Sequence, residues 1–502
     1  MQKISAGFIA TACLISAGCT NAPKEKERDP NIIFILSDDL CWGDLGCFGQ
    51  QKIKTPNIDR IAEEGIKFTQ AYCGNAVSAP SRSCLMTGLH PGHTRVRDNS
   101  FRSYRESLQD GDFTVAMLLK QAGYKTGLFG KWGLANYDQP GIPNKMGFDE
   151  FFGYLNQQHA HTYYPEFLYH NQERVYFPGN AWHFKLENYS RPSPYDENGK
   201  CMPLGLRDPS KAKYSFDVYC EKSLEFVKAN KDNPFFLYLA YTTPHGPLIV
   251  PDLGLYKGKD WDIHHKEWAA MITRMDTEVG RLLALLKKLK IDEETIIFFA
   301  SDNGNPTGYD NRYLKLKSGQ TISEFFDNAC PTRGGKGDAY DGAFHVPVMV
   351  RWPGKIKPGQ VSDYIWAFWD YLPTAAEIAG VEVPVKTDGI SILPTLLGKE
   401  KQNQHEYLYW EYQQDQAVRS GKWYAVRPSG KQVELYDLIA DPQQSNDLSS
   451  NHPDIVKRME EIMSVSHTPS DVWPSPGETQ EAFAKRLKDN NIPERPDNIS
   501  NY

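Results

Sequence analysis

Beyond its first nineteen residues, this 502-residue chain has no stretch long and apolar enough to span a membrane. It is poor in cysteine. Nine are too few for a disulfide scaffold in a chain of this length, and none forms the Cys-x-x-Cys pair of a zinc site. Cys13 and Cys19 belong to the opening segment, which leaves Cys41, Cys47, Cys73, Cys84, Cys201, Cys220 and Cys330, an odd number read as buried free thiols. No sign of charge dominates either: 56 Lys and Arg against 63 Asp and Glu give a formal net charge of −7. That balance excludes a general electrostatic grip on nucleic acid, so any positive site must be local. There is no internal repeat. The 40% of hydrophobic residues excludes a disordered chain, and the length suggests about two or three packed units.

The opening "MQKISAGFIATACLISAGC" carries a basic Lys3, an apolar run and small residues before Cys19, the pattern of a bacterial secretory signal. Cleavage before Cys19 with lipid on its sulfur would make a lipoprotein, although Ser16 stands where such signals prefer leucine. A plain signal peptide is the alternative. Residues 1–19 are thus expected to be a lipoprotein signal peptide and 20–30, "TNAPKEKERDP", a flexible charged tether. The expected location is periplasmic, outer-membrane or cell-surface, with the membrane touched only through lipid on Cys19.

From Asn31 onward, strand and helix signals alternate. "NIIFIL" (Asn31 to Leu36) is the short apolar run of a buried parallel strand, and it ends in Ser37, Asp38 and Asp39. "FTQAYC" (Phe68 to Cys73) alternates like a strand. Thr114 to Ala122 reads as helix, Tyr124 to Gly130 and Pro234 to Tyr241 as strands, Trp268 to Leu289 as a long amphipathic helix, and Thr295 to Ala300 as a further strand. This order predicts an α/β fold with a mainly parallel central sheet flanked by helices over 31–384, with ligands beyond the carboxyl ends of the strands. Between Phe151 and Ala212 the periodicity fades, which predicts a long surface excursion. Its aromatic residues Tyr163, Tyr164, Phe167, Tyr169, Tyr176 and Trp182 either stack on sugar faces or pin the loop to the domain. Over 385–502 short strands and a helix from Pro453 to Met463 predict a smaller antiparallel C-terminal subdomain.

The chemistry gathers at strand ends. Asp38 with Asp39, and Asp302 with Asn303, are hard oxygen donors suited to calcium or magnesium, though either cluster alone reads equally well as a turn or cap. Cations accompany them: Arg82, Lys131 in "FGKWGLA", and Lys336 in "RGGKGDAYDG"; His245 in "TTPHGP" lies past another strand. Any one lysine, taken singly, would be a solvated surface charge. Ser78 opens "SAPSRSCLMTG" at a strand-to-helix junction, where backbone donors and the helix dipole favour an anion. No histidine or lysine adjoins it in sequence to activate its hydroxyl.

The Ser-x-Pro-Ser-Arg sequence followed by Thr87-Gly88, with "GKW", "PHGP", "SDNG" and "GGKG" in order, resembles the type I (formylglycine-dependent) sulfatases of the alkaline phosphatase superfamily, in particular bacterial serine-type carbohydrate sulfatases. The likeness runs from Asn31 to about His452. It implies that Ser78 is the precursor of Cα-formylglycine (3-oxoalanine), made by an anaerobic radical sulfatase-maturing enzyme. It also implies one calcium ion held by Asp38, Asp39, Ser78, Asp302 and Asn303. Arg82 would orient the hydrated aldehyde, Lys131 and Lys336 would neutralise sulfate oxygens, and His245 would serve the leaving oxygen. The substrate implied is a sulfate ester on a glycan or oligosaccharide.

Two departures stand out. Relatives commonly carry histidine two residues after the "GKW" lysine, where this chain has Gly133; His159 and His161 in "QQHAHTYY" are candidates to serve instead, with His161 as a substrate contact, although histidines in a polar loop are ordinarily exposed. After Lys336 the common pattern becomes "YDGAFHVP", with Asp341, Ala343 and His345. The competing readings are a phosphoester or phosphonate hydrolase of the same superfamily, and a lipoprotein that binds sulfated glycans without cleaving them.

Overall fold

The computed structural model describes residues 28–100, 105–180, 207–208, 210–306 and 318–492. The leader with Cys19, most of the tether, Trp182 and Cys201 lie outside the described residues.

Asn31–Asp38 (β1) is buried along all eight residues. A strand apolar on both faces needs a layer on each side and neighbours along both edges. It pairs in parallel with Phe235–Pro244 (β8) and with Thr295–Ser301 (β9). Next to β8 lies Lys125–Lys131 (β4), and next to that Glu150–Tyr154 (β5), both parallel. The sheet continues past β9 through Val348–Arg351 (β10), antiparallel, to Ile66–Phe68 (β2) and Gln360–Ser362 (β11). At the other edge the hairpin Phe167–His170 (β6) and Glu173–Tyr176 (β7) adds antiparallel to β5. The result is a mixed ten-stranded sheet with a parallel centre.

Alternate residues of β1 feed two cores, as a period of two requires. Ile32, Phe34 and Leu36 face the layer built by Ser78–Thr87 (α2), Val115–Gln121 (α3) and the helix Tyr371–Ile378. Ile33 and Ile35 face Pro56–Glu63 (α1), Ser215–Asn230 (α4) and Ile263–Leu289 (α5). α3 starts one residue later than the sequence suggests, because Thr114 is its cap and accepts from the Met117 N–H.

Two sequence expectations change. "FTQAYC" is two strands, since β2 ends at Phe68 and Ala71–Tyr72 (β3) pairs in a separate two-stranded sheet with Trp366–Ala367 (β12). The chain leaves the large sheet at Thr69, whose N–H bonds to Ser362 O at 2.9 Å. The stretch after Phe151 is not an irregular surface excursion up to Asn180: it contains the β6–β7 hairpin. Phe167 and Tyr169 enter one core and Leu168 the other, so apolar residues on both faces hide the period of two. Tyr163 is buried as well, whereas Tyr176 is 57% exposed.

The C-terminal strands Leu408–Tyr412 (β13), Asp415–Ser420 (β14), Trp423–Arg427 (β15) and Glu434–Asp437 (β16) form an antiparallel meander. One face is covered by the helix Pro453–Ser466 through Met459, Ile462 and Met463. The other face joins the main core through Leu408, Trp410 and Tyr424. Trp410 Nε1 donates to Cys73 O at 3.1 Å, Asn75 Nδ2 to Glu411 O at 3.0 Å, and the Tyr424 hydroxyl to Ala339 O at 3.0 Å. The meander thereby fixes two loops, the one leading to Ser78 and the one carrying Lys336.

Phe34 stacks on Phe298 at 5.8 Å and meets Tyr371 edge-on at 4.6 Å. Phe34→Ala is expected to lower the unfolding free energy by about 3–5 kcal/mol. Ile439→Ser, at a residue 81% exposed, should change it by no more than about 0.5 kcal/mol. Denaturant titrations of both variants check this, and equal effects would contradict the two-layer core.

Candidate active site

Four parallel strands end at one place. Asp38 is the last residue of β1 and Lys131 of β4; His245 follows β8, and Asp302 and Asn303 follow β9. Asp39 turns the chain off β1 in the left-handed region, φ 67°, a conformation aspartate tolerates, and its N–H donates to Asp302 Oδ1 at 3.2 Å.

Ser78 and Arg82 enter from α2, all ten residues of which are buried. This is a helix enclosed on every side rather than an amphipathic surface helix. Its first turn is held from outside, because Asn99 Oδ1 accepts from the Ala79 N–H at 2.8 Å. The loop before it passes so close that a Cβ on Gly74 would lie 2.5 Å from Cys84 Cβ. Lys336 arrives on the glycine-rich loop, whose backbone is tied by Lys336 N–H to Asn305 O at 2.8 Å and Gly337 N–H to Ala76 O at 3.1 Å.

All ten residues singled out from the sequence converge. Ser78 Oγ donates to Asp38 Oδ1 at 3.1 Å and accepts from Lys131 Nζ at 3.2 Å, while Lys131 also holds Asp38 Oδ2 at 2.6 Å. Arg82 grips Asp302 Oδ2 through Nη2 at 2.9 Å and Nε at 3.2 Å, and donates to Lys131 O at 2.8 Å. Lys336 Nζ reaches both oxygens of Asp39, at 2.6 and 2.8 Å. His245 Nε2 stands 3.5 Å from Asp39 Oδ2, and the His161 ring stacks on the His245 ring at 4.3 Å and 15°.

Lys131 is fully buried and Lys336 is nearly so, which overturns the reading of either as a solvated surface charge. Burial pulls the Lys131 ammonium below its usual range, whereas for Lys336 the carboxylates, Asp39 first, outweigh burial and raise it. Burial would raise Asp38, but Lys131, His245, Arg82 and Lys336 together hold its carboxyl well below the normal range. Asp302 moves up through burial and the nearby Asp38. Burial lowers His245 to about 4 and holds His161 well below its ordinary value, so both rings are neutral at neutral pH.

One atom of the cluster is left over. Asn303 Nδ2 donates to Asp39 Oδ1 at 2.7 Å and to Gly304 O at 3.0 Å, yet its Oδ1 is buried with no hydrogen-bond partner. A buried carbonyl oxygen without a partner is costly. With the carboxylates of Asp38, Asp39 and Asp302 beside it, it belongs to a hard-oxygen donor set that fits calcium or magnesium. Ligand atoms of Asp38, Asp39 and His245 also lie within 4.8 Å of one another.

The departures from the family pattern acquire a structural reason. Gly133 has φ 82°, and a Cβ there would lie 2.6 Å from Gln157 Nε2, which donates to Gly133 O at 3.2 Å. Gln157 therefore fills the space of the missing side chain. His159 is not an exposed loop residue: it is buried beside Tyr154 and Phe167, at 4.9 and 4.8 Å. His345 lies behind the site, stacked on Tyr72 at 4.9 Å and 3.1 Å from Asp341, where it supports the Lys336 loop.

Two positioning residues escaped the sequence reading, Asn99 and Gln157, while Tyr163, named there as stacking on sugar or pinning the loop, does the latter: its hydroxyl lies 2.7 and 2.6 Å from the carbonyl oxygens of Thr242 and His245. Asn99 and Gln157 each act through one backbone contact, 20 and 24 residues away in the chain. The one local signal was Gln157, in the same "QQHAH" stretch as the histidines.

Comparison with known proteins places this arrangement. The Sulfatase family profile matches residues 30–381, and the profile of the N-sulphoglucosamine sulphohydrolase C-terminal region matches 335–467. An N-acetylgalactosamine-6-O-sulfatase of Bacteroides thetaiotaomicron is 28% identical over 498 residues, covering 88% of this chain and 93% of that protein. The N-acetylgalactosamine-6-sulfatase of Homo sapiens is 31% identical over 394 residues, 76% of this chain and 67% of that protein. Among solved structures, Ps i-CgsB in complex with k-i-k-neocarrahexaose superposes with a TM-score of 0.72 at 27% identity, covering 93% of this chain and 98% of that one. The chain belongs to the sulfatase family and is a sulfuric ester hydrolase.

Proposed function

We propose that this protein hydrolyses a sulfate ester on a glycan or oligosaccharide, with Ser78 matured to Cα-formylglycine and one calcium ion held by Asp38, Asp39, Asp302, Asn303 and the residue-78 side chain. The observation that carries this reading is the convergence of Ser78, the buried Lys131 and the part-buried Lys336 on a carboxylate cluster with an orphaned Asn303 Oδ1. Relatives named as sulfatases of amino sugars over most of their length favour a sulfate ester over a phosphate ester, and put 6-sulfated N-acetylhexosamines first among substrates to test.

Calcium supplies Lewis acidity and a fixed template for oxygens. Formylglycine at position 78, as its hydrate, would supply one hydroxyl for attack on sulfur and a second whose deprotonation would let sulfate leave, an exit that a serine ester lacks. The remaining work belongs to the side chains. Lys131 and Lys336 balance charge on the sulfate oxygens from opposite sides of the carboxylate cluster. Arg82 is locked by Asp302 and by Lys131 O, so it holds the residue-78 end of the site in register rather than adapting to substrate. His245 Nδ1 lies 2.6 Å from Gly246 O, a pure acceptor, so the neutral ring carries its proton on Nδ1, and Nε2 is an acceptor that would give a proton to the leaving oxygen only after first taking one up. His161, stacked on that ring, would contact substrate next to it.

Ser78 is 1% exposed within a fully buried helix, so a maturing enzyme reaches it only in an unfolded chain. We therefore assign oxidation by the anaerobic radical maturase to a stage before folding and export, with lipid on Cys19 as the anchor. Peptide mass spectrometry after co-expression with that maturase should find the Ser78 peptide lighter by one molecule of hydrogen. Folded, purified protein offered to the same enzyme should stay unmodified. An active enzyme carrying intact Ser78 would sink the mechanism.

Lys336→Ala should lower kcat/KM for a sulfate ester by about a hundred- to a thousandfold, and should lower Tm as well, because Asp39 is left buried without its cation. Lys131→Ala should lose as much activity and also about 3–5 kcal/mol of stability, because Asp38 is left buried beside one fewer cation. A Lys131→Ala protein of normal stability and rate contradicts both roles.

For the metal, calorimetric titration of calcium into protein stripped with a chelator should show one site. Asn303→Ala should weaken it at least tenfold, and unchanged affinity would put the ion elsewhere.

A further inference from the structure

Apart from the catalytic cluster, the described residues enclose a cavity of about 490 Å³, within the range of roughly 300–1,000 Å³ common to small-molecule sites. Asp98 lines one wall. The turn between β13 and β14, with Gln413, Gln414 and Asp415, forms the second, and Trp473 and Glu478 the third.

The cavity adjoins the loops that carry the catalytic residues. Asn99, next to Asp98, holds the N–H of Ala79 beside Ser78. Glu411, on the strand leading into the turn, receives the side chain of Asn75 on its carbonyl. Asp415 is close enough to the Lys336 loop that, after burial, it adds to the upward shift of the Asp338 carboxyl.

Its polarity is one-sided. Arg97, which lines the cavity, is committed to Glu411 at 2.7 Å, and the nearby Arg486 to Glu478 at 2.8 and 2.9 Å. Among the described residues, Asp98 and Asp415 have no such cation. Asp415 Oδ1 takes the Ser429 N–H at 2.7 Å, and Asp98 takes the Asn99 N–H at 2.6 Å and the Gln413 side chain, which leaves each carboxylate with further acceptor capacity. The Trp473 indole N–H is spent on Arg95 O at 2.9 Å, so that ring offers the cavity only its apolar surface. Carboxylates, amides and an aromatic wall suit a ring rich in hydroxyl donors. A sulfate or carboxylate there would meet like charge, which costs several kcal/mol.

We infer that this cavity binds a neutral, hydroxyl-bearing sugar ring adjacent to the ring that carries the scissile sulfate, and that it rejects a neighbouring ring bearing a second sulfate or a carboxylate. This rests on the glycan reading given above and adds to it the charge of the neighbouring residue.

The test is calorimetric titration of the unmatured, calcium-loaded protein, which binds without turnover. The probes are N-acetylgalactosamine 6-sulfate, the disaccharide joining it to galactose, and the disaccharide joining it to glucuronate. The galactose disaccharide should bind at least tenfold more tightly than the monosaccharide, and the glucuronate disaccharide no more tightly than the monosaccharide. In an Asp98→Asn, Asp415→Asn double variant the gap between the two disaccharides should narrow at least fivefold, and Asp415→Asn alone should narrow it in part should the double variant not fold. Equal binding of all three probes, tightest binding of the glucuronate disaccharide, or no binding of any of them overturns the inference. Failure of the matured enzyme to release sulfate from any ester, aryl sulfates included, overturns the proposed function instead, and the binding ratios still decide the cavity.

Discussion

Everything at this site depends on one constraint: charges taken out of water must be paired with one another. Asp38, Asp39 and Asp302 are essentially inaccessible, and so are Arg82 and Lys131. A lone buried carboxylate is prohibitively costly, whereas a buried pair is tolerated when geometry and hydrogen bonds are good. Three carboxylates face Arg82, Lys131 and Lys336, so the formal charge of the cluster closes at zero. That balance sets how tightly the strand ends must be held. In the proposed holoenzyme a dication would add two positive charges and leave the site net positive, which suits an anionic sulfate ester.

The scaffold meets the constraint with rigid elements on one side and clamped loops on the other. β1, β4, β8 and β9 deliver six of the ten site residues from the fully paired middle of the sheet. Ser78 and Lys336 arrive on chain segments that the large sheet does not hold, and there the C-terminal meander takes over. Trp410 and Asn75 fix the 73–77 loop, while Tyr424, with Gln444 on the Asp341 N–H at 3.0 Å, fixes the 333–345 loop. A meander that seems peripheral in sequence is therefore part of the catalytic geometry.

What could be read from the sequence follows from the same physics. Continuous apolar runs such as "NIIFIL" and "TIIFFA" announce central strands because both of their faces are buried, and the charged residues immediately after them mark the carboxyl edge where ligands gather. Asp38, Asp39, Lys131, His245, Asp302 and Asn303 stand out for that reason, whereas Ser78, Arg82 and Lys336 stand out only through the motifs that carry the family resemblance. The β6–β7 hairpin was not legible, since Phe167, Leu168 and Tyr169 feed both cores and erase the alternation. Nor was the burial of Lys131. A lysine in a short polar motif looks solvated until its carboxylate partner, 93 positions away in the chain, is placed beside it.

Position 133 shows where reading by single residues stops. The absence of a side chain there suggests a lost catalytic group, but the left-handed backbone and the Gln157 amide make glycine the residue that fits. Gln157 Nε2 is anchored on Gly133 O, and its Oε1 is buried with no hydrogen-bond partner. Within this chain the two positions are coupled, because the Gln157 side chain, from the loop after β5, occupies the volume that a side chain at 133, on the loop after β4, would fill. Putting histidine back at 133 alone would strain the backbone and collide with the amide, so the two positions form one unit, and their chemistry must be compared with that of relatives as a pair.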